Sequence, residues 1–303
     1  GYGGMLASMA AHIKKKPLLL TEHGIYTRER EEEIIRAKWV AKAFKSHWIK
    51  FFYMLSDLIY ERAFRVTSLF TRAMYTQIDM GCDASKCRVI ENGIGYERLC
   101  NIPLKEDDGI VDIGAVVRLA PIKDIKTMIY AFFELCARRD NVRLHIMGGV
   151  DDQDYADECY ALVKQLGLEE KIIFTGRVNI IEYFEKLDFT LLTSISEGQP
   201  LSVLESFAAR RPAVTTDVGC CSELLNGKPG DTLGKAGYFA PPMQREKLAD
   251  AMELLCESRE LRLKMGEIGQ KRVYENFRYI IMLTKYRDLY KEVEKEWPEL
   301  VSN

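Results

Sequence analysis

Hydrophobic residues along this chain fall into short, mainly apolar runs, separated by stretches where apolar side chains recur every three or four positions. The runs at 17–22, 63–69, 87–90, 110–117, 142–147, 171–174, 188–193 and 212–216 predict strands, being rich in Val, Ile and Leu and too short for helices. Helical spacing covers 2–16, 29–56, 71–80, 124–137, 153–166, 180–186 and 199–209, a short piece near 222–225, and most of the chain from Gln244 onward. Continuous apolar strands alternating with helices predict an α/β fold, because a parallel sheet is covered on both faces by its crossover helices. Asn92-Gly93 reads as a turn, and the charged segment from Lys105 to Gly109 reads as a linker between two lobes. Ligands of such sheets bind beyond the carboxyl ends of the strands. The loops to inspect therefore follow Glu22, Val117, Met147, Phe174, Thr193 and Thr216.

Composition narrows the classes. With 43 basic and 45 acidic residues among 303, the net charge is −2, which argues against nucleic acid held by bulk charge. No apolar run is long enough to cross a bilayer, and the first residues do not read as a signal peptide. The expected location is therefore the cytoplasm. Eight cysteines (Cys82, Cys87, Cys100, Cys136, Cys159, Cys220, Cys221 and Cys256) are scattered without metal-ligand spacing and read as reduced thiols, the adjacent Cys220-Cys221 included.

Two loops carry the strongest chemistry. Ser194-Ile195-Ser196-Glu197-Gly198-Gln199-Pro200-Leu201-Ser202 leads into a helix that holds Glu205. Gly198 permits close approach to the backbone, Pro200 suits a helix start, and the N–H groups that follow form an anion site. Glu197 and Glu205 then flank a bound phosphate, each within reach of hydroxyl groups, and the implied ligand is a sugar joined through phosphate to another polyol. The plain alternative is a capped helix with two solvent-facing glutamates. In the other loop, Arg118 and Lys123 offer a guanidinium fork and a point ammonium to a diphosphate, or are two solvated surface charges. Gly148-Gly149 followed by Asp151, Asp152 and Asp154 is a weak phosphate or metal signal.

Together, Arg118 with Lys123 and Glu197 with Glu205 resemble the donor-binding half of retaining glycosyltransferases of the GT-B fold, family 4 type. Phe174-Thr175-Gly176, Thr216-Asp217-Val218-Gly219 with Ser222-Glu223-Leu224, and Val89-Ile90-Glu91-Asn92-Gly93-Ile94 are similar to further motifs of that family. The resemblance implies two Rossmann-like lobes with parallel sheets. It gives Arg118 and Lys123 the leaving diphosphate, assisted by the amides after Gly198. Gly198, Gln199, Pro200, Leu201 and Ser202 line the donor, Glu197 orients its sugar, Glu205 holds the ribose diol, and Arg177 and Val178 hold the base. The donor is a nucleotide-diphosphate sugar, UDP-linked, with no cofactor and no metal. The resemblance, with no double-displacement nucleophile visible, further implies front-face attack in which the donor phosphate accepts the acceptor proton.

In the first lobe, Leu20-Thr21-Glu22-His23-Gly24-Ile25-Tyr26-Thr27-Arg28-Glu29-Arg30 resembles the signature segment of the cytosolic glycosyltransferases of Pel exopolysaccharide assembly. By that resemblance His23 faces the donor sugar, Arg28 and Arg30 are acceptor-side candidates, and the acceptor is a growing polysaccharide. His12, His47 and His145 read as structural. Lys38, Lys42, Lys45 and Lys50 interleave with Trp39, Phe44, Trp48, Phe51 and Phe52. That composition suits core packing together with a membrane surface, or a partner in a membrane-embedded synthesis complex.

The expected domains are 1–106, the remainder of an acceptor-side lobe; 107–286, the nucleotide-sugar lobe; and 287–303, a helix returning to the first lobe. A Rossmann-like lobe opens with a strand, whereas this chain opens in a helix. The expectation is that on the order of 100 residues precede Gly1, without which the chain binds donor with little or no transfer. The competing classes are a non-catalytic sugar-nucleotide-binding module and an interaction subunit at a membrane assembly, with a GT-B phosphorylase or epimerase as a further enzyme reading.

Overall fold

The computed structural model describes residues 2–301, and side chains through Trp297. Gly1 and residues 302–303, the ends of the first and last expected segments, lie outside the described residues. The chain forms two compact units, Gly1–Asn92 with Ile280–Asn303, and Gly93–Tyr279.

The first unit contains α1 (Tyr2–Lys14), β1 (Leu19–Glu22), α2 (Tyr26–Arg36), α3 (Lys42–Arg62), β2 (Arg65–Ser68), α4 (Thr71–Asp79) and β3 (Cys87–Val89). The helix or helix pair expected at 29–56 is a pair, α2 ending in the extended residue Ala37. Its three strands are parallel in the order β1-β2-β3, with Leu20 opposite Val66 and Val66 opposite Cys87. Their core holds Leu18, Val66, Cys82 and Cys87 with Ile59 and Tyr60 of α3.

The second unit contains β4 (Val111–Val116), α5 (Ile125–Cys136), β5 (Val142–Met147), α6 (Gln153–Gln165), β6 (Ile172–Gly176), α7 (Ile180–Phe184), β7 (Phe189–Leu192), α8 (Leu201–Ala208), β8 (Ala213–Thr216), α9 (Cys221–Asn226), β9 (Gly237–Ala240), α10 (Arg245–Glu257) and α11 (Arg259–Asn276). All six strands are parallel, in the order β6-β5-β4-β7-β8-β9. From β4 the chain winds one way through β5 and β6, then resumes on the other side of β4 with β7. The crevice between the carboxyl ends of β4 and β7 is thus the topological switch point. Helices cover both faces, so Ile113, Leu144, Ile146 and Val214 are wholly buried.

The opposite end of the sheet is held by charge. Asp112 at the start of β4 accepts hydrogen bonds from Arg143 Nε at 2.7 Å and His145 Nε2 at 2.8 Å, and pairs with Lys105 at 2.7 Å. Burial opposes its ionisation, but the bonds from His145, Arg143 and Lys105 outweigh it and hold the carboxyl well below the usual range. His145 is therefore structural, its Nδ1 lying 2.8 Å from the Tyr183 hydroxyl.

The expected turn at Asn92-Gly93 has a different cause. Gly93 is not in the left-handed region; instead a Cβ there would lie 2.7 Å from the Tyr279 Cα, where residues 277–279 run alongside. Ile94 N donates to Phe277 O at 2.8 Å and Tyr279 N to Ile94 O at 3.2 Å. The helix α12 (Tyr279–Val301) follows and docks on the first unit. There Arg65 Nη2 meets Glu292 at 2.8 Å and Glu296 at 2.5 Å, and Arg88 meets Glu292 at 2.6 Å.

Candidate active site

Two loops meet at the switch point. The one after β4 ends in a short 3-10 turn, Pro121–Lys123, and then Asp124, a non-glycine residue in the left-handed region at φ 46°. Its carboxylate accepts from Thr127 N and caps α5. From β7, the buried Thr193 donates its hydroxyl to the carbonyls of Lys123 and Asp124, at 3.1 and 3.0 Å. Ile195 N donates to Ile122 O at 2.9 Å. These bonds hold a conformation that a side chain ordinarily disfavours by about 1–2 kcal/mol.

With both backbones fixed, the charges converge. Lys123 Nζ lies 2.5 Å from Glu197 Oε1, and the Ser194 hydroxyl donates to the same oxygen at 2.6 Å. The two charged side chains are only 18% and 12% exposed. Ser194 is itself locked, its carbonyl accepting from the Thr216 hydroxyl at 2.6 Å. Beneath Glu197 and Gly198 runs Gly219, at φ 56°, with Cys220 N donating to Gly198 O at 3.1 Å.

The helix α8 opens from the same loop. Pro200 is its N-cap residue rather than its first helical one, and offers no side-chain cap of its own. The loop thus delivers Gly198, Gln199, Pro200, Leu201 and Ser202 in succession to a helix N-terminus, where N–H groups and the helix dipole favour an anion. One turn further, Glu205 is half-buried; burial pushes its carboxyl above the ordinary glutamate value, and Arg98 partly opposes the shift.

The sequence-predicted residues divide into those that converge and those that do not. Lys123, Glu197 and the start of α8 come together. Arg118 does not join Lys123: its exposed guanidinium is bound by Asp151 in the loop after β5. The aspartates that resembled a metal cluster are likewise committed elsewhere, Asp151 to Arg118 and Asp152 to Tyr155 N as the cap of α6. Among the described residues no cluster of three or more His, Cys, Asp or Glu side chains could hold a metal ion. Arg177 follows β6 and lies against Gly149, where a Cβ would stand 2.8 Å from its Nε, and Val178 is the next residue toward α7.

In the first unit, His23 directly follows β1 and is exposed. Glu22 before it accepts from Tyr60 Oη and Gln77 Nε2, both at 2.8 Å. Arg28 and Arg30 lie in the first turns of α2 and pair along that helix, with Glu32 at 3.6 Å and Glu33 at 2.6 Å. Sequence reasoning missed Thr193 and Ser194, the hydroxyls that fix both loops. Their signal was two hydroxyl residues placed directly at a strand end.

The fold and this crevice define a doubly wound lobe with two charged loops converging at its switch point. Comparison supplies the family. Residues 103–272, more than half of the chain, match glycosyl transferases group 1, and the chain belongs to that family. Residues 1–85 match a domain of unknown function, DUF3492. Among curated relatives, N-acetyl-alpha-D-glucosaminyl L-malate synthase of Bacillus anthracis is 28% identical over 198 residues, 64% of this chain and 49% of that protein. The capsular polysaccharide biosynthesis glycosyltransferase CapM of Staphylococcus aureus is 26% identical over 216 residues, 68% of this chain and 54% of that protein. The chain spans about half the length of these relatives. Among solved structures, Anabaena Alr3699/HepE in complex with UDP and glucose superposes with a TM-score of 0.76 at 18% identity, covering 95% of this chain and 75% of that one. Sucrose-phosphate synthase of Thermosynechococcus elongatus gives 0.76 at 17% identity, covering 96% and 72%. The fold is the GT-B fold, with its two Rossmann-like parallel-sheet units.

Proposed function

We propose that this chain serves transfer of a hexose or N-acetylhexosamine from a UDP-linked donor to a growing exopolysaccharide, with retention at the anomeric carbon. The observation that carries the reading is the Lys123–Glu197–Ser194 constellation beside the start of α8, at the switch point of the second unit. The HepE structures containing UDP, with glucose or as UDP-glucose, support the choice of donor. In this reading the Lys123 ammonium exchanges part of its pairing with Glu197 for the donor diphosphate and stabilises it as it leaves. The N–H groups at the start of α8 share that charge, and Arg118 joins them by releasing Asp151. Glu197 receives the donor sugar's hydroxyls, held in place by Ser194, while Glu205 accepts from the ribose diol and Arg177 and Val178 flank the base. The two glutamates belong to one lobe and do not flank the scissile bond as a glycosidase pair does. Departing phosphate oxygen takes the acceptor proton on the same face. By resemblance of the segment that contains them, His23 is assigned to the donor sugar, and Arg28 and Arg30 to the acceptor.

Titration calorimetry with a panel of UDP- and GDP-sugars, followed by NMR of the product anomer, tests this. UDP-sugars are expected to bind wild type and to lose at least about 10-fold in affinity in Lys123→Ala, since a charge-assisted contact to phosphate is worth about 1.5–3 kcal/mol. Glu197→Ala is expected to retain UDP and lose transfer. Donor binding with no transfer to any glycan acceptor would instead favour a sugar-nucleotide-binding module, and undiminished binding in Lys123→Ala would refute the site.

A further inference from the structure

The helix α3 does two different jobs along its length. Its second half supplies Phe52, Leu55, Ile59 and Tyr60 to the cores of the first unit. Another face, running from Phe44 to Met54, leaves Phe44, Trp48, Phe51 and Met54 in solvent, at 61%, 39%, 36% and 57% exposure, and Trp39 in the preceding connection is 74% exposed. Spacings of four, three and three put the four helical residues on one face. Soluble proteins seldom leave such a contiguous apolar face bare. The stripe is ordered: Trp48 and Phe51 pack edge to face with ring centres 5.8 Å apart, and Phe51 in turn packs on the buried Phe52 at 5.7 Å.

Charge identifies what covers it. From Ala37 to Ser56 the chain carries Lys38, Lys42, Lys45 and Lys50, and no Asp or Glu. The acids of the neighbouring α2 do not neutralise them. Glu31 accepts from Tyr53 at 2.9 Å, Glu32 pairs with Arg28 and Arg36, and Glu33 pairs with Arg30. Lys45 donates to the Ile35 carbonyl at 2.6 Å, and Lys38, Lys42 and Lys50 have no carboxylate partner among the described residues. Exposed indole and phenyl rings flanked by ammonium groups match the headgroup region of a bilayer, where rings enter the acyl boundary and lysines stay with lipid phosphates. A purely apolar protein groove would have to desolvate those lysines.

We propose that this face of α3 docks the chain on an anionic phospholipid surface, as a peripheral contact and not a span. Among the described residues no helix is long and apolar enough to cross a membrane. The inference is independent of the transfer reaction, because vesicle binding is read without donor or acceptor.

The test is sedimentation of the chain with vesicles of phosphatidylcholine alone or with phosphatidylglycerol, at low and high salt. Wild type is expected to pellet with the anionic vesicles, and release by salt is expected because surface charge is screened. The triple variant Lys38→Gln, Lys42→Gln, Lys50→Gln should lower the partition coefficient about 100-fold, at about 1 kcal/mol per lysine. Trp39→Ser with Phe44→Ser, both away from the core, should also abolish pelleting while thermal unfolding stays unchanged. Brominated lipid should quench Trp39 and Trp48 but spare Trp297, which packs against Phe64. Three results would each overturn the proposal: no pelleting with anionic vesicles, equal binding of the lysine variant, or light scattering showing the face closed by a second copy with no vesicle binding.

Discussion

Gly219 sets the geometry of the Glu197–Gly198 backbone in the candidate site, and Gly219→Ala tests that role. Two costs add in this variant. A side chain at φ 56° is in the left-handed region, which costs about 1–2 kcal/mol. The new Cβ would also stand 2.2 Å from the Gly198 carbonyl oxygen and 2.4 Å from that of Glu197, where 3.4 Å or more is ordinary contact. These carbonyls must retreat by about 1 Å, at an overpacking cost of about 1–3 kcal/mol. The expected loss is about 2–5 kcal/mol in urea unfolding. The same retreat moves Glu197 off Lys123 and Ser194, and a misplacement of about 1 Å can cost about 100-fold in turnover. Gly167→Ala is the control: φ is 67°, but nothing lies within 4 Å of the added carbon. It should cost only the conformational share and leave UDP affinity unchanged. Calorimetry with UDP reads both. Gly219→Ala binding UDP as tightly as Gly167→Ala would show that the Glu197–Gly198 segment does not form the donor site.

At the opposite end of the sheet, Asp112→Asn should cost about 3–5 kcal/mol in urea unfolding, because Lys105, Arg143 and His145 lose their shared anion. The Asp112 carboxyl is held below its unfolded value, so its contribution is full above about pH 4 and is lost as pH falls through the depressed folded value; acid unfolding of wild type should carry this step and Asp112→Asn should lack it. Glu205 shifts the other way. Burial raises its pKa above the ordinary 4.5, so an ionised acceptor for the ribose diol exists only above that raised value, and UDP affinity should climb with pH through it. Glu205→Gln should flatten that step in a calorimetric pH series, and an unchanged step would remove Glu205 from the site.

The second unit was largely legible because most of its strands are buried on both faces, and mainly apolar runs such as Ile110 to Val117, broken only by Asp112 and Gly114, leave little choice of element. The strand β9 escaped for the converse reason. Its four residues, Gly237–Ala240, follow a stretch rich in Gly, Lys and Pro, and no periodicity distinguishes them. What places them is tertiary: a Cβ at Gly237 would stand 1.9 Å from Ala213 O, so the glycine exists to let β9 approach β8. The site shows the same division. Lys123 and Glu197 were readable as charges at strand ends, but their pairing depends on the Asp124 conformation and the Thr193 and Ser194 hydroxyls, which spacing does not encode. Arg118 suits a diphosphate as well as Lys123 does and yet is bound by Asp151, a residue 33 positions away whose loop adjoins through the β4–β5 pairing and the Leu119 bonds that extend it. Residue type therefore nominated both cations equally. Strand order separated them, because Lys123 faces the loop across the switch point while Arg118 faces the strand on its own side of it.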